Sequence, residues 1–320
     1  MAMAGGEFEL IERHFTQRGA PREDVLRGVG DDGAILATPP EGTLVLAVDT
    51  LVEGAHFPAG FDARFVGHRA LAVNLSDLAA TGAEPAWALL ALTIPSVDEH
   101  WLAGFSAGLD ALARRFGVAL VGGDTTRGPL TVSLTLAGAV PPGTAILREG
   151  ARPGDDLWIS GTPGDAAAGL AILQGRIQAQ GRARDALLRR LQLPEPRVGL
   201  GIALRGVATA CIDVSDGLAG DLAKLCAASG VGADLQSREL PLSAGLCAVA
   251  GLEARLAFAL AGGDDYELLF TAAVADRARV AALDAGVVLR RIGTVSEVPG
   301  VRVDGVSPDR EMVHGFDHFA

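Results

Sequence analysis

Aspartate recurs beside glycine or a hydroxyl residue in this chain, mostly where a β-rich stretch ends or a helix begins. Carboxylates at the ends of strands lie where the backbone can approach a ligand closely. A single such aspartate is most often a turn residue or a helix N-cap. Several of them in one chain indicate a shared ligand. The segments are Gly30–Gly33, Asp49–Thr50, Asn74–Asp77, Gly122–Thr126, Asp213–Asp216 and Gly263–Asp265.

Carboxylates that cluster require counter-cations. At about 4 Å and an effective dielectric constant of about 20, two of them repel each other by about 4 kcal/mol. Carboxylate oxygen is a hard ligand, which favours Mg²⁺ over zinc or copper. Mg²⁺ held by few carboxylates usually completes its shell with water and substrate phosphates. The pattern therefore predicts phosphoryl transfer from ATP, with metal ions supplying the positive charge that lysine supplies elsewhere.

The basic residues exclude two common kinds of kinase. Lys224 is the only lysine among the 27 basic residues, and it lies within Asp221–Leu225. A phosphate-binding P-loop requires Gly-Lys-Ser or Gly-Lys-Thr, which is therefore absent from the sequence. Protein kinases require a lysine on an early strand, and the same count excludes them.

Two other segments match known motifs in spelling only. Gly28–Gly33 fits the dinucleotide fingerprint, but no strand precedes it and two carboxylates would face the pyrophosphate. Gly104–Gly108 spells a nucleophile elbow around Ser106, but it lies within a stretch of helical periodicity. We interpret Ser106 as structural. The alternative, a serine hydrolase, predicts labelling by an active-site serine reagent.

Composition limits the partners and the location. A hydrophobic fraction of 49% excludes a disordered chain, and a net charge of −12 argues against nucleic acid or an anionic membrane as partner. The first residues lack a secretion signal and no apolar run is long enough to span a membrane, so we expect a cytoplasmic protein. The odd number and spacing of Cys211, Cys226 and Cys247 suit neither disulfides nor zinc, and we expect small core residues there.

The elements that position these aspartates form two mixed sets, so we predict an α+β fold with two domains. Two prolines and a glycine at Pro141–Gly143 mark the boundary, giving domains 1–143 and 144–320. The first domain reads β-α-β-α-β-β, with strands at 43–48, 86–94, 118–121 and 130–140 and helices at 62–80 and 97–116. The second has strands at 156–160, 209–212, 266–271, 287–292 and 300–303 and helices at 165–173, 183–207, 218–229 and 274–285.

Five segments resemble the signature blocks of the thiamine-monophosphate kinases, in order along the chain. They are Asp49–Phe57, Ala70–Ala80, Gly122–Thr126, Ile212–Leu218 and Gly262–Leu268. The resemblance implies ATP-dependent phosphorylation of thiamine phosphate to thiamine diphosphate, by direct in-line transfer with several Mg²⁺ ions and no catalytic protein nucleophile. It also implies a homodimer that pairs ferredoxin-like N-terminal sheets. In this scheme domain 1–143 binds ATP and metal, and domain 144–320 completes the active-site cleft.

The same resemblance assigns residues to roles by position. The implied metal ligands are Asp31, Asp49, Asp77, Asp124, Asp213 and Asp216. The implied ATP contacts are Gly123, Asp124, Arg148 and Ser215. The implied thiamine phosphate contacts are His56, Asp264 and Phe316. An aromatic ring suits a cationic thiazolium.

Some positions depart from the family pattern. Asp264 stands where the family usually has Glu, which shortens the reach by about 1.5 Å. A hydroxyl residue often precedes the Asp-Thr pair in the family, whereas Ala47 and Val48 stand here, so only backbone carbonyls could bind a metal there. Where a different small residue often follows the acidic pair, this chain has Gly33.

Other functions remain open at this stage. The superfamily also contains aminoimidazole ribonucleotide synthetase, selenophosphate synthetase and the hydrogenase-maturation carbamoyl dehydratase. The second requires a reactive residue near the N-terminus, but no cysteine precedes Cys211, and the third requires a C-terminal cysteine where this sequence has His318–Ala320. The first, and a non-catalytic module that binds ATP and Mg²⁺, stay as alternatives.

Overall fold

The computed structural model describes residues 7–30, 33–38, 41–284 and 286–308. The backbone divides into an N-terminal unit, Met1–Leu78 with Ala83–Gly143, and a C-terminal unit, Ala79–Gly82 with Thr144–Ala320. Each unit has its own sheet and its own helices. The predicted α+β fold with two mixed domains is confirmed.

The N-terminal unit follows the expected order β-α-β-α-β-β from its third strand onward. Its sheet has the order β3-β6-β4-β5, antiparallel except for the parallel pair β4–β5. A hairpin of β1 and β2 precedes it. The elements are α1 (Glu7–Phe15), β1 (Val25–Arg27), β2 (Ile35–Leu36), β3 (Thr43–Val52), α2 (Ala63–Thr81), β4 (Glu84–Ile94), α3 (Glu99–Arg115), β5 (Ala119–Arg127) and β6 (Thr131–Val140).

Both main helices of this unit begin at an aspartate N-cap. The carboxylate of Asp62 accepts a hydrogen bond from the backbone N–H of Arg64 at 2.8 Å, as expected for the predicted cap. Asp98 caps α3 by accepting from the N–H groups of His100 and Trp101. The caps fix where the helices begin and therefore which of their faces meets the sheet.

Glycines bring α2 and α3 into close contact. A Cβ on Gly67 would lie 2.0 Å from the carbonyl oxygen of Phe105, and one on Gly108 would lie 2.0 Å from that of Arg64. Ser106 is buried, and its hydroxyl donates to the carbonyl of Ala103 at 3.3 Å. The Gly104–Gly108 segment is therefore a helix-packing surface, which explains its glycines without a nucleophile.

The C-terminal unit contains a six-stranded sheet of order β12-β9-β11-β7-β10-β8. Only its edge pair β12–β9 is parallel. The elements are β7 (Asp156–Ser160), α4 (Asp165–Leu173), α5 (Gly181–Gln192), α6 (Val198–Ala203), β8 (Ala208–Val214), α7 (Leu218–Ser229), β9 (Gly232–Leu235), α8 (Ala244–Val249), α9 (Leu252–Ala261), β10 (Glu267–Ala272), α10 (Arg277–Ala281), β11 (Leu289–Ser296) and β12 (Gly300–Val303).

Two predicted helices of this unit differ from the structure. The helix expected at 183–207 is two helices, α5 and α6, because Pro194 and Pro196 remove backbone donors and interrupt the pattern between them. The helix expected at 274–285 is a short 3₁₀ turn, Val274–Asp276, followed by α10. Three further elements, β9, α8 and α9, were not predicted.

The interior strand β10 and the edge strand β8 are both largely buried in the C-terminal sheet. Every residue of Glu267–Ala272 is buried, and β10 pairs with β8 on one side and β7 on the other. Leu222 and Leu225 of α7 pack on this core with no exposed surface. The loops that leave β8 and enter β10 are therefore anchored at one end in the most buried part of the unit.

The three cysteines are buried or half-buried in the structure. Cys211 and Cys226 are buried, Cys247 is half-buried, and all three are free thiols. Burial raises the pKa of the Cys226 thiol to about 11. In the part of the chain that the structure describes, no helix combines the length and apolar character that crossing a membrane requires.

Candidate active site

The predicted ligands of the N-terminal sheet lie within strands, not at their ends. β3 continues through Asp49 to Val52, and β5 continues through Asp124 to Arg127. Asp49 pairs with Leu134, whose side chain is buried, so Asp49 lies on the buried, inner face of the sheet. Asp124 pairs with Ala91, which lies on the opposite, outer face. The sheet therefore places Asp49 and Asp124 on opposite faces, on its two edge strands. Sequence reasoning ended both strands too early because glycine and aspartate have low strand propensity.

Gly123 permits β5 to pass close to β4. Its φ is +152°, and a Cβ at this position would lie 1.8 Å from the carbonyl oxygen of Leu90. Any side chain would separate the two strands. Gly123 and Asp124 are both exposed, so a backbone segment without a side chain stands next to an accessible carboxylate. This is the arrangement expected where the backbone approaches a phosphate closely.

His56 and Asp77 occupy different settings in the same unit. His56 lies in the turn after β3, where its Nδ1 accepts a hydrogen bond from the backbone N–H of Val52 at 3.0 Å. In the neutral imidazole this contact assigns the remaining proton to Nε2, a donor. Asp77 lies near the end of α2 and is half-buried in a helix whose neighbouring residues are buried.

The loop after β8 is organised around a buried carboxylate. Asp221 in the first turn of α7 is 1% exposed and accepts hydrogen bonds from the backbone N–H groups of Ser215 and Asp216, at 2.9 and 3.0 Å. Lys224 donates to Asp221 at 2.8 Å and to Asp216 at 2.5 Å. Burial raises the pKa of Asp221 above its usual range, although the Lys224 ammonium opposes this. Asp213 is buried at the end of β8.

The Gly262–Tyr266 segment lies against this loop. The backbone N–H of Asp264 donates to the carbonyl of Ser215, and that of Tyr266 donates to the carbonyl of Val214, both at 2.8 Å. A Cβ on Gly263 would lie 2.5 Å from the carbonyl oxygen of Ser215. The fold thus brings together two motifs that are almost 50 residues apart in the sequence, and with them the predicted residues Ser215 and Asp264.

A buried ionic network lies within and directly after the Gly262–Tyr266 segment. Glu267 has no exposed surface and accepts hydrogen bonds from Arg190 at 2.7 Å, from Arg197 at 2.6 and 2.5 Å, and from Ser160 at 2.5 Å. The carboxylate of Asp265 accepts from the backbone N–H of Gly164 at 2.6 Å, and burial raises its pKa well above the usual range.

Of the three remaining predicted residues, Arg148 lies within the described part of the chain. Arg148 is exposed, and its carbonyl accepts a hydrogen bond from the hydroxyl of Ser229 at 3.1 Å, at the C-terminal end of α7. Asp31 and Phe316 lie outside the described residues.

The predicted ligands fit Mg²⁺ by their chemistry. All are carboxylates, the hard oxygen donors that Mg²⁺ prefers. Within residues 7–30, 33–38, 41–284 and 286–308, no three histidine, cysteine, aspartate or glutamate side chains converge closely enough to bind a metal by themselves.

Sequence reasoning missed three residues that shape the site: Asp221, Lys224 and Tyr266. The only available signal for Asp221 was an acidic residue in the first turn of a helix that follows an aspartate-rich loop. Lys224 and Tyr266 are the only lysine and the only tyrosine of the chain, but a unique residue does not by itself indicate a partner. The roles of Lys224 and Tyr266 depend on which carboxylates the fold brings beside them.

Comparison with known proteins identifies the family of this chain. The family model "AIR synthase related protein, N-terminal domain" matches residues 30–140, and the corresponding C-terminal model matches residues 152–306. The thiamine-monophosphate kinase of Salmonella typhimurium is 46% identical over 99% of both chains, and that of Escherichia coli is 47% identical over 99% of both. The chain belongs to the thiamine-monophosphate kinase family.

Solved structures of this family have the same fold. The thiamine-monophosphate kinase of Stenotrophomonas maltophilia is 44% identical, with a TM-score of 0.88 over 95% of this chain and 98% of that one. A structure described as AaThiL complexed with AMPPCP and TMP is 30% identical, with a TM-score of 0.79 over 98% and 96%. The hydrogenase maturation protein HypE of Escherichia coli, at 21% identity and a TM-score of 0.74, shares the fold. The resemblance to thiamine-monophosphate kinases is thus confirmed.

Proposed function

We propose that this protein transfers the γ-phosphoryl group of ATP to the phosphate of thiamine phosphate, giving thiamine diphosphate and ADP. The observation that carries the proposal is the identity of 46–47% to thiamine-monophosphate kinases along the whole chain. The relative that was solved with AMPPCP, an ATP analogue, and TMP supports the same pair of substrates.

The acceptor phosphate is itself the nucleophile. A phosphate monoester with a second pKa near 6 is largely dianionic at neutral pH, so neither a protein nucleophile nor a general base is required. Bound Mg²⁺ would neutralise phosphate charge and orient phosphate oxygens. The protein contributes mainly position, which can lower the barrier by several kcal/mol, roughly 7 or more in well-aligned intramolecular cases.

Each unit would supply part of this chemistry. We assign the metal ions to carboxylates already placed above and to one outside the described residues: Asp31, Asp49, Asp77, Asp124, Asp213 and Asp216. The nucleotide would contact Gly123, Asp124, Arg148 and Ser215. The thiamine phosphate would contact His56, Asp264 and Phe316. The donor at Nε2 of His56 suits a phosphate oxygen, and the carboxylate of Asp264 suits a cationic ring.

Phosphorus NMR of the purified protein with ATP, Mg²⁺ and thiamine phosphate tests this function. We expect thiamine diphosphate and ADP in equal amounts, and neither product when EDTA removes the metal. Intact ATP would favour a non-catalytic binding module. Hydrolysis of ATP without thiamine diphosphate would refute the acceptor and make aminoimidazole ribonucleotide synthetase the next assay.

The outer face of the N-terminal sheet supports a homodimer. Leu46 and Val48 on the edge strand β3 are 68% and 64% exposed, and Leu44 and Leu89 are also exposed on this face. An exposed apolar patch on an edge strand is costly in a monomer and marks an interface. A second copy of this unit would cover it. Sedimentation should give a dimer that Leu46→Glu dissociates, and a monomeric wild type would exclude the assignment.

A further inference from the structure

Two residues of the Gly262–Tyr266 segment adopt a backbone conformation that side chains disfavour. Asp264 has φ of +69° and Tyr266 has φ of +52°, both in the left-handed region. Non-glycine residues persist there only when their surroundings hold them, and such residues concentrate at ligand-binding sites. Tyr266 is also the only tyrosine of the chain, and it is 7% exposed.

The surroundings hold this segment from three directions. The backbone N–H groups of Asp264 and Tyr266 donate to the loop after β8, at Ser215 and Val214. The carboxylate of Asp265 accepts from the first turn of α4. The guanidinium of Arg190 in α5 donates to the carbonyl of Asp265 at 3.2 Å. The strained conformation is therefore imposed by several elements of the fold.

This backbone conformation brings the side chains of the two left-handed residues into contact. The hydroxyl of Tyr266 donates to Oδ1 of Asp264 at 3.0 Å. A hydrogen bond from a neutral donor to a carboxylate fixes the rotamer of the carboxylate and leaves it negatively charged. The carboxylate of aspartate is separated from the backbone by a single methylene, so the direction in which it is held determines what it can reach.

We propose that Tyr266 is a positioning residue that orients Asp264 to recognise the cationic heterocycle of thiamine phosphate. The inference rests on the proposed function and adds a determinant of substrate specificity to it. The fold holds the backbone of this segment, and the tyrosine hydroxyl fixes the direction of the Asp264 carboxylate. Discrimination between a cationic and a neutral ring therefore depends on both groups.

Kinetics of Tyr266→Phe test the proposal, since this change removes the hydroxyl and keeps the ring. We expect KM for thiamine phosphate to rise about tenfold, a size typical of one hydrogen bond to a charged group, while KM for ATP and kcat change less than about twofold. Preference for thiamine phosphate over a neutral analogue, with carbon in place of the thiazolium nitrogen, should fall by a similar factor. Ser237→Ala is the matched control, because it removes a hydroxyl that donates to Asp304, near the edge of the sheet opposite β8 and β10.

The single tyrosine also provides a spectroscopic test that needs no variant. Protein labelled with ¹³C at Cζ of tyrosine should show one resonance, and thiamine phosphate should shift it. ATP alone should leave it unchanged, and Asp264→Asn should abolish the response to thiamine phosphate. A resonance that thiamine phosphate leaves unmoved in active wild-type protein would overturn the proposal.

The failure of this inference is distinguishable from failure of the proposed function. If wild-type protein makes no thiamine diphosphate, the function is wrong. If wild type is active and Tyr266→Phe retains both its KM for thiamine phosphate and its preference for the cationic ring, the positioning role is wrong. Equal increases in KM for both substrates, with a lower melting temperature, would show a purely structural role and would also refute the proposal.

Discussion

The two units hold their predicted ligands in different ways. In the N-terminal sheet, Asp49 and Asp124 project from edge strands onto opposite faces, and Asp124 is exposed. In the C-terminal unit, Asp213 is buried, and the buried carboxylate of Asp221 fixes the loop that carries Ser215 and Asp216. The difference indicates a division of labour. The C-terminal loops are preorganised by the protein, whereas Asp124 of the N-terminal sheet is exposed to solvent.

Loss of the buried network should have the largest effect on stability. Glu267→Gln leaves Arg190 and Arg197 without their counter-charge, and breaking a buried ion pair in this way costs about 3 kcal/mol or more. Urea unfolding measures it as a lower midpoint. Asp276→Asn is the control, because it breaks the surface pair with Arg279, worth less than about 1 kcal/mol. Equal effects of the two changes would contradict the preorganised character of the C-terminal loops.

Loss of an exposed N-terminal carboxylate should instead affect turnover alone. Asp124→Asn is expected to lower kcat by about two orders of magnitude or more, since a metal ligand acts on the transferring phosphoryl group. The unfolding midpoint should stay near that of wild type because Asp124 is exposed. Phosphorus NMR measures the rate and urea unfolding measures the stability. A rate near that of wild type would remove Asp124 from the set of metal ligands.

The buried carboxylate of Asp265 makes the stability of the C-terminal unit depend on pH. Burial raises its pKa in the folded state, against opposing hydrogen bonds from Gly164 and Ala166 and the charge of Arg190, while Asp165 adds to the rise. The folded protein therefore binds this proton more tightly than the unfolded chain, whose aspartate pKa is about 3.9. The stability that the proton confers is complete below that value and is lost as pH rises through the folded pKa, at about 1.4 kcal/mol per pH unit.

Comparison with Asp265→Asn isolates this contribution, because the variant lacks the titrating group. The free energy of unfolding of wild type minus that of the variant should fall as pH rises from about 4 towards 7. Urea unfolding at several pH values measures the difference. Glu267 accepts a hydrogen bond from the same Arg190 and is present in both proteins. A difference that rises with pH would show that the hydrogen bonds and Arg190 outweigh burial.

The smallest effect is expected at Ser106. Its hydroxyl makes one long hydrogen bond within α3, so Ser106→Ala should change stability by about 0.5 kcal/mol or less and leave kcat unchanged. Gly108→Ala is the contrast, because its Cβ would meet the backbone of α2 at 2.0 Å and should destabilise the unit by about 1–3 kcal/mol or more. Labelling of Ser106 by an active-site serine reagent, with loss of activity, would restore the hydrolase interpretation.

Local signals in the sequence determined the element order of the N-terminal unit from β3 onward and the two-domain organisation, and the signature blocks determined the family. The alternation of β-rich and helical stretches identified β-α-β-α-β-β, and Asp62 identified the start of α2 to within one residue. Such signals suffice because periodicity and capping act over a few residues. They failed where tertiary pairing overrides propensity, as in the glycine-rich part of β5, which pairing with β4 holds extended.

Only the tertiary structure decided which groups support the candidate site. Residues 213–217 and 262–266 meet because β8 and β10 are neighbours in the sheet, a pairing that neither segment encodes alone. The contact of Tyr266 with Asp264 joins two left-handed residues whose backbone N–H groups donate to Val214 and Ser215. Residue types and spacing thus specified the chemistry, whereas long-range contacts, which no local pattern records, specified which carboxylates are held rigid and which stay exposed.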